Sequence, residues 1–450
     1  MSQTDSFVVN GLAGKKTLHG EVRVHGAKNA ILKAMAASVL FDGPIKITNF
    51  SDTADVEKME DLLVALGART EKGSMVIDAS NLSSTDLDAD ISRSMRSSIV
   101  ATGPILARYG KVSFPSPGGC VIGARPVDLF IEAYKKMGAD VVEKDGIFYI
   151  AVRGNQNEKG AGKSKGGGLK GADIFFPIQT VTGTETLMMA AVLAKGVTTL
   201  RNCAMEPEIE SVAKWLNECG ASIKGAGTTT ITIRGGKALK AKKPYHAMPD
   251  RIEAGSFLFL GALCADDLLV SDCEPRHVES VTNLLQSSGV PIEIGKDFIH
   301  IKGNDRKNAS LKALNIRTHE YPGFATDFQP IAAAFLSQTT GESVVFETIF
   351  EGRFKYAEDL NRLGANIKIM NPREILIAGP TPLKALPPGE ELTAHDIRAG
   401  FAIVLAALCA EGNSVVKNVH LIDRGYERLE EDLTALGADV RRVHGEEVTG

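Results

Sequence analysis

Two kinds of helical segment alternate along this chain of 450 residues. The first kind is amphipathic and ends in a small-residue stop, as in residues 62–68 (LLVALGA) and 132–139 (EAYKKMGA). A glycine at such a stop adopts the left-handed conformation that ends a helix, and each stop leads into a short β-rich run. The pattern therefore predicts six helix ends, at Gly67, Gly138, Gly220, Gly289, Gly364 and Gly437.

The second kind of helical segment lies upstream of each stop and is rich in alanine, leucine and methionine. Because these segments are apolar around nearly their whole circumference, we expect them to be buried. A short strand is predicted after each of them, for example over residues 45–49, 197–201 and 415–418. The buried helices are predicted to begin near Asn29, Ser94, Thr184, Glu253, Asp327 and Ile397.

The two patterns combine into a unit that occurs six times: strand, buried helix, strand, amphipathic helix, strand, strand. Its stop glycines are 69 to 82 residues apart, which exceeds the roughly 20–50-residue period of a solenoid. We therefore predict small α/β (α+β) subdomains that pack as two groups of three. The boundary is expected around residues 240–249, and the polar low-complexity residues 154–171 are predicted to form a surface loop.

Composition favours a cytoplasmic enzyme over a nucleic-acid-binding or membrane protein. The net charge is −4 and only 6% of residues are aromatic, whereas nucleic-acid binders are basic and interleave aromatic residues. The longest apolar stretch, residues 254–265, is shorter than the roughly 20 residues that span a bilayer, and residues 1–10 lack a secretory signal. The six cysteines have no metal-ligand spacing, and five are interpreted as core residues of a protein in a reducing compartment.

Cations lie at or just before many predicted helix starts, although the helix dipole disfavours them there. For Arg251, beside Asp250, and Arg276, beside Glu274, we favour a local ion pair. The others are predicted to act together with helix N-termini in binding a small metabolite with several negative charges. These six cations are Lys28, Arg96, Arg125, Arg353, Arg398 and Arg424.

Two further residues are candidates for chemistry. Cys120 lies with Arg125 in a loop of prolines and glycines (residues 116–128), where positive potential favours the reactive thiolate; an adventitious surface cysteine is the alternative. A Cys-His-Asn hydrolase is disfavoured, because no histidine of the chain lies at a spacing that is diagnostic of such enzymes. Asp327, at the N-terminus of a buried helix, is either a helix cap or a general base, and the sequence leaves both interpretations open.

With these features the chain resembles the UDP-N-acetylglucosamine enolpyruvyl transferases over residues 22–443, nearly its whole length. The resemblance implies their fold, a two-domain inside-out α/β barrel of six βαβαββ repeats, three in each domain. It also implies the domain limits, residues 1–26 with 249–450 and residues 27–248. The motifs that carry the resemblance are GAKNA (26–30), PGGCVIGARPVDL (117–129), EPEI (206–209), YPGFATDFQ (321–329), EGRF (351–354) and DRGYERL (423–429).

The resemblance further implies a reaction in peptidoglycan synthesis. The enolpyruvyl group of phosphoenolpyruvate passes to the 3′-hydroxyl of UDP-N-acetylglucosamine and phosphate leaves, with Cys120 as the acid, Asp327 as the base, and no metal or cofactor. Both partners are small molecules, and neither nucleic acid nor membrane is involved. The residues implied for phosphoenolpyruvate are Lys28, Asn29, Arg125, Arg353, Arg398 and Arg424. Those implied for the sugar nucleotide are Arg96, Arg125, Pro126, Val127, Asp128, Leu129, Thr180, Val181, Asp327 and Ile349.

Two alternatives are weighed against this function. The sister enzymes that act on shikimate 3-phosphate share the fold and the cosubstrate but lack the cysteine loop. A non-catalytic protein that only binds a nucleotide sugar would need neither Cys120 nor Asp327. The sequence also departs from many family members at Phe130, where they carry histidine.

Overall fold

The computed structural model describes residues 5–71, 73–116, 127–153, 168–302 and 310–445. These residues separate into two compact units. Unit 1 contains the described residues up to His25 and from Pro249 onward, and unit 2 contains those from Gly26 to Met248. None of the described helices is long and apolar enough to cross a membrane.

The helices of the described residues range from 6 residues in α3 to 14 residues in α8. They are α1 (Lys28–Ala37), α2 (Ala54–Ala65), α3 (Ala89–Ser94), α4 (Thr102–Tyr109), α5 (Asp128–Lys136), α6 (Val181–Val192), α7 (Pro207–Glu218), α8 (Arg251–Cys264), α9 (Glu279–Ser287), α10 (Gln329–Leu336), α11 (Tyr356–Arg362), α12 (Ile397–Cys409) and α13 (Leu429–Ala435).

The strands are short, as expected for strands that alternate with helices. They are β1 (Ser6–Asn10), β2 (Leu18–Arg23), β3 (Ile45–Thr48), β4 (Arg69–Glu71), β5 (Val76–Asp78), β6 (Lys111–Pro115), β7 (Ala139–Lys144), β8 (Ile147–Val152), β9 (Asp173–Phe175), β10 (Val197–Arg201), β11 (Ile223–Lys224), β12 (Thr230–Arg234), β13 (Tyr245–His246), β14 (Ala265–Ser271), β15 (Ile292–Ile294), β16 (Phe298–Lys302), β17 (Ile316–Arg317), β18 (Gly341–Phe346), β19 (Asn366–Asn371), β20 (Glu374–Gly379), β21 (Leu392–Thr393), β22 (Asn413–Lys417) and β23 (Asp439–Val443).

In unit 1 the described strands form three four-stranded sheets, in the orders β21-β22-β1-β23, β15-β16-β14-β2 and β17-β18-β20-β19. Each sheet contains one parallel pair, and its other pairs are antiparallel. Helices α8, α10 and α12 pack against one another. Their aromatic side chains meet in the core, where the ring centres of Phe257 and Phe401 are 5.9 Å apart and those of Phe259 and Phe335 are 5.6 Å apart.

In unit 2 the described strands form the sheets β11-β12-β10-β9, β13-β3-β5-β4 and β6-β8-β7. Helix α4 packs so closely against α6 that a Cβ atom at Gly103 would lie 2.2 Å from the carbonyl oxygen of Thr186. Trp215 of α7 packs between Phe41 and Tyr245, with ring centres 5.0 and 5.2 Å apart. The buried helices and the sheets that cover them therefore share one continuous core within the unit.

The six stop glycines all end helices as predicted. Their φ angles lie between 94° at Gly138 and 111° at Gly220, in the left-handed region that a side chain disfavours. Five cysteines that were interpreted as core residues are buried free thiols (Cys203, Cys219, Cys264, Cys273 and Cys409). Predicted strands at 45–49, 197–201 and 415–418 correspond to β3, β10 and β22.

One predicted helix start is wrong. No continuous buried helix begins near Ser94: α3 ends at that residue, a 3₁₀ helix follows over Arg96–Ala101, and α4 starts only at Thr102. Met95 interrupts the helix with extended backbone angles (φ −134°, ψ 98°). Pro104 lacks a backbone N–H and is tolerated in the first turn of a helix, which favours a fresh start at Thr102. Residues 154–167 of the predicted surface loop lie outside the described residues.

His25 lies in a cluster of carboxylates in unit 1. Its ring Nδ1 is 2.9 Å from Glu253 Oε1, its backbone N–H donates to Glu253 Oε2 (2.7 Å), and its Nε2 is 4.0 Å from Glu427 Oε2. The hydrogen bond to Glu253 raises the pKa of His25 to about 9; burial opposes this rise, and the charges of Glu253, Glu427 and Asp432 add to it. The imidazolium form therefore dominates at neutral pH.

We expect this cluster to make stability depend on pH. A raised folded-state pKa contributes stability that is fully present below the unfolded value near 6.5 and is lost as the pH rises through about 9. The midpoint of thermal unfolding, compared at pH 7 and pH 10, should therefore fall further in the wild type than in His25→Gln, which keeps a hydrogen-bond donor but cannot be charged. His19→Gln, at an exposed position of unit 1, is the control. Equal falls in all three proteins would contradict the assignment.

Candidate active site

Three predicted functional residues come together in unit 1. Asp327 lies in a 3₁₀ helix (Thr326–Phe328) that leads into α10, Arg353 lies in the segment after β18, and Arg398 is the second residue of α12. The side chain of Asp396 caps α12 by accepting hydrogen bonds from the backbone N–H groups of Arg398 (2.8 Å) and Ala399 (3.0 Å). This cap fixes the first turn of the helix, from which the Arg398 side chain extends to Asp327.

The carboxylate of Asp327 is bound by arginine. Arg398 Nε lies 3.2 Å and Arg353 Nη2 3.9 Å from Asp327 Oδ1. The side chains of both arginines are at most 4% exposed, whereas that of Asp327 is 38% exposed. Arg398 also packs over the ring of Tyr426, at 5.1 Å from its centre. The aspartate is therefore the solvent-facing member of an otherwise buried charged group.

The helix-cap interpretation of Asp327 is wrong. The N-cap of α10 is Phe328 and that of the preceding 3₁₀ helix is Ala325, and neither end has a side-chain cap hydrogen bond. Asp327 instead serves as a partner for cations. Burial acts to raise its pKa, but the positive charges of Arg398, Arg353 and Arg251 outweigh burial and hold the pKa well below the ordinary value.

We call this group the arginine cluster (Arg251, Arg353 and Arg398, around Asp327). The charge of Asp250 also acts on Arg398, and the charges of all three guanidinium groups act on Asp327. Two of their nitrogens, Arg353 Nε and Arg398 Nη1, are buried and have no hydrogen-bond partner within the described residues. Buried donors normally have partners, and guanidinium donors bind phosphate and carboxylate oxygens strongly. The arrangement is suited to an anion.

Ile349 is held in a turn beside this cluster. Its backbone N–H donates to Glu347 Oε1 (2.8 Å), and that of Phe350 donates to the same oxygen (3.0 Å). The Ile349 side chain is partly exposed.

Arg424 is half-buried and lies two residues before Tyr426, the ring that Arg398 covers.

In unit 2, Lys28 and Asn29 lie side by side in the first turn of α1. Lys28 is 7% exposed, and its Nζ lies 3.1 Å from Oδ2 of buried Asp55 in α2. The sequence predicted anion binding for Lys28 and gave no sign of this carboxylate. Arg96 is half-buried and begins the 3₁₀ helix after α3.

Other predicted binding residues of unit 2 lie at helix starts. Thr180 is the N-cap of α6, where its Oγ1 accepts the Gly183 N–H (3.1 Å), and Val181 is the first residue of that helix. Val127 packs on the core just before α5. Of the next two residues, Asp128 is exposed and Leu129 is half-buried. Cys120, Arg125 and Pro126 lie outside the described residues.

Comparisons with known proteins identify the family of this chain. Residues 12–433 match the family model described as EPSP synthase (3-phosphoshikimate 1-carboxyvinyltransferase). The UDP-N-acetylglucosamine 1-carboxyvinyltransferases of Desulforapulum autotrophicum and Myxococcus xanthus are 42% and 41% identical to the chain. Each alignment covers 96% of this chain, with 99% and 98% of the relative. The chain belongs to the UDP-N-acetylglucosamine 1-carboxyvinyltransferases, within the EPSP synthase family.

Solved structures of the EPSP synthase family share the mixed α/β fold. The enolpyruvyl transferase NikO from Streptomyces tendae superimposes with a TM-score of 0.82 at 22% identity, over 98% of this chain and 99% of NikO. EPSP synthase from Acinetobacter baumannii gives 0.69 at 17% identity, over 98% and 100% of the two chains. The resemblance found in the sequence is confirmed, and so is the prediction that the chain is a carboxyvinyltransferase.

Sequence reasoning assigned one member of the arginine cluster differently. Arg251 was expected to pair locally with Asp250, but its charge also acts on Asp327 and its guanidinium lies 5.4 Å from the centre of the Tyr321 ring. Its position at the start of a buried helix, which it shares with Arg398, was the available signal. The local pair predicted for Arg276 is confirmed, with Nε 3.1 Å from Glu274 Oε1.

Proposed function

We propose that this chain transfers the enolpyruvyl group of phosphoenolpyruvate to the 3′-hydroxyl of UDP-N-acetylglucosamine and releases phosphate. The names of relatives at 41–42% identity over nearly the whole chain support this reaction. The observation that carries it in the structure is the arginine cluster, whose buried guanidinium groups and two unpartnered N–H groups suit a small ligand with phosphate and carboxylate groups.

Each substrate is assigned the set of residues that the resemblance to the family implies. Arg353 and Arg398 contribute buried guanidinium groups to the phosphoenolpyruvate set. We assign phosphoenolpyruvate to Lys28, Asn29, Arg125, Arg353, Arg398 and Arg424. We assign the sugar nucleotide to Arg96, Arg125, Pro126, Val127, Asp128, Leu129, Thr180, Val181, Asp327 and Ile349.

The reaction is an addition followed by an elimination. In the addition, Cys120 gives a proton to C3 of phosphoenolpyruvate, the 3′-hydroxyl oxygen bonds to C2, and the hydroxyl proton passes to Asp327. In the elimination, the Cys120 thiolate takes a proton from C3, the C2–C3 double bond re-forms, and phosphate leaves with the electrons of the C2–O bond and the proton from Asp327. The guanidinium groups offset the negative charge of the phosphate and carboxylate throughout.

The low pKa of Asp327 bears on its role as the base. A carboxylate with a strongly lowered pKa is always ionised, but it accepts protons weakly. An anion bound to Arg353 and Arg398 would neutralise the charges that lower this pKa. Asp327 therefore becomes a stronger base once phosphoenolpyruvate is bound, which couples proton transfer to the presence of the substrate.

The finer architecture and the location of the enzyme are also proposed. Three sheets and a core of buried helices in each unit support the inside-out α/β barrel, built from six βαβαββ repeats with three in each domain. The domain limits follow as residues 1–26 with 249–450 and residues 27–248, which the two compact units support. The buried free thiols, together with the cytoplasmic enzymes that the sequence resembles, support a place in the cytoplasm.

Measuring phosphate release with each acceptor in turn tests the function. Release should require both phosphoenolpyruvate and UDP-N-acetylglucosamine, and Cys120→Ala should abolish it, because the variant has no acid for C3. The variant should also escape labelling by fosfomycin, the epoxide that alkylates the loop cysteine of the enzymes that the sequence resembles. Cys219→Ala, at a buried position in unit 2, is the control. Phosphate release with shikimate 3-phosphate instead would show that the chain catalyses the reaction of the sister enzymes. No release with either acceptor would indicate a protein that only binds the nucleotide sugar.

A further inference from the structure

We propose that Glu347 is a positioning residue for the transfer, because its carboxylate joins the Ile349 turn to the segment that carries Asp327. This inference rests on the proposed function of Asp327 and Ile349. Glu347 directly follows β18 and its side chain is fully buried. It belongs to none of the residue sets assigned to the substrates or to catalysis.

Four donors converge on the Glu347 carboxylate. Oε1 accepts the backbone N–H groups of Ile349 (2.8 Å) and Phe350 (3.0 Å) and the hydroxyl of Thr318 (3.0 Å). Oε2 accepts the hydroxyl of Thr326 (2.8 Å). Within the described residues Glu347 forms no ion pair. A buried carboxylate that depends on four neutral donors keeps one geometry, because losing a donor would leave a buried charge unsatisfied.

The direction of these hydrogen bonds shows that the carboxylate is the acceptor in each. The Thr318 hydroxyl accepts the backbone N–H of Thr348 (2.8 Å), and the Thr326 hydroxyl accepts Arg353 Nη1 (2.7 Å). Each hydroxyl therefore has its own proton free to donate to Glu347. A neutral amide at this position could accept hydrogen bonds through its oxygen on one side of the network, but it would present its NH₂ group to the hydroxyl on the other side.

The Thr326 side of the network reaches the catalytic aspartate. Arg353 Nη1 donates to both the carbonyl oxygen (2.8 Å) and the hydroxyl (2.7 Å) of Thr326, the residue directly before Asp327. The Nη2 atom of the same guanidinium lies 3.9 Å from Asp327 Oδ1. Glu347 thus fixes Thr326, and Thr326 fixes both Asp327 and the arginine that acts on it. Within the described residues the Thr318 side makes no such connection to Asp327; its hydroxyl donates to the buried carboxylate and accepts the backbone N–H of Thr348.

The difference between the Thr326 side and the Thr318 side of the network provides the test. Glu347→Gln can keep its amide oxygen towards Ile349 and Phe350, so its main loss is at Thr326. Misplacing a reacting group by about 1 Å can cost about 10²-fold in rate. We therefore expect kcat to fall about 10- to 100-fold while KM for UDP-N-acetylglucosamine changes less than about twofold. Thr326→Val should reproduce this split, and Thr326→Ser, which keeps the hydroxyl, should restore kcat.

Thr318→Val is the matched control, since it removes a hydroxyl from the same carboxylate on the other side. It should lower the unfolding temperature but leave kcat within about twofold of the wild type. If kcat fell equally in Thr318→Val and Thr326→Val, Glu347 would have only a structural role. If kcat were unchanged in Glu347→Gln and Thr326→Val, the positioning proposal would also be overturned.

Failure of the proposed function is a separate result. A wild-type enzyme that does not release phosphate with UDP-N-acetylglucosamine would overturn the function rather than the role of Glu347. Crystal structures of the wild type and Glu347→Gln would then decide the positioning role. A guanidinium of Arg353 displaced from Asp327 in the variant would support it, and an unchanged separation would contradict it.

Discussion

Asp327→Asn should lower kcat by about 10²- to 10⁴-fold, the usual contribution of a general acid–base residue. The amide has the shape of the carboxylate and can still accept the N–H of Arg398, but it cannot take the proton of the sugar hydroxyl. Removing the negative charge also takes one compensating carboxylate away from Arg398 and Arg353. KM for phosphoenolpyruvate should therefore stay equal or fall. Steady-state phosphate release with each substrate varied in turn measures both quantities.

The matched control for Asp327→Asn is Glu351→Gln. Glu351 lies two residues before Arg353, but its side chain is 63% exposed and pairs with Arg373 (3.5 Å). This variant should keep the kcat of the wild type. A kcat for Asp327→Asn within about threefold of the wild type would remove this residue from proton transfer. Asp327 would then serve only to hold Arg398 and Arg353 in place.

Arg398→Met should have its largest effect on kcat/KM for phosphoenolpyruvate, which we expect to fall about 10²- to 10³-fold, as for other buried charge pairs that lose one partner. Methionine preserves much of the buried volume over Tyr426 but removes both the contact with Asp327 and the unpartnered Nη1 donor. The loss should also raise the pKa of Asp327, since Arg398 is the arginine nearest to it. Varying phosphoenolpyruvate at saturating sugar nucleotide measures this effect.

Two comparison variants separate charge from geometry. Arg398→Lys keeps the charge but loses the planar donor group, so its kcat/KM should lie between those of the wild type and Arg398→Met. Arg276→Met removes an arginine that also precedes a helix in unit 1, but is 81% exposed and pairs with Glu274. It should leave kcat/KM unchanged. If Arg398→Met and Arg276→Met behaved alike, the arginine cluster would not be the anion site.

Much of the fold was predictable because its signals are local. A glycine that ends a helix acts through its own φ angle, so the φ of Gly67 or Gly437 can be anticipated from the few residues before it. Helices α8 and α12 are apolar all round, and burial follows from that composition. The start of α4 was missed because Met95 breaks the helix and Pro104 favours a new one, a competition that apolar periodicity does not register.

The candidate site was predicted in part. Motifs identified Asp327 and Arg353, which lie in residues 321–329 and 351–354, and Arg398 was predicted from its position at the start of a buried helix. The contributions of Arg251 and Glu347 were not foreseen, because Arg251 has a carboxylate beside it in sequence and Glu347 follows an ordinary strand. Neither position has a local pattern that distinguishes a structural ion pair or a buried turn from part of a site.

The sequence by itself determined the helix ends, the burial of the apolar helices and the family. The first two depend on backbone preference and on apolar composition within short stretches, and the family was identified from motifs of a few residues each. Only the tertiary structure decided which charges meet: Lys28 with Asp55, 27 residues away, and Asp327 with Arg398, 71 residues away. Electrostatic interactions depend on distance and burial in space, and sequence separation fixes neither. Hence the low pKa of Asp327, which the three guanidinium groups of the arginine cluster cause, emerges only when the chain is folded.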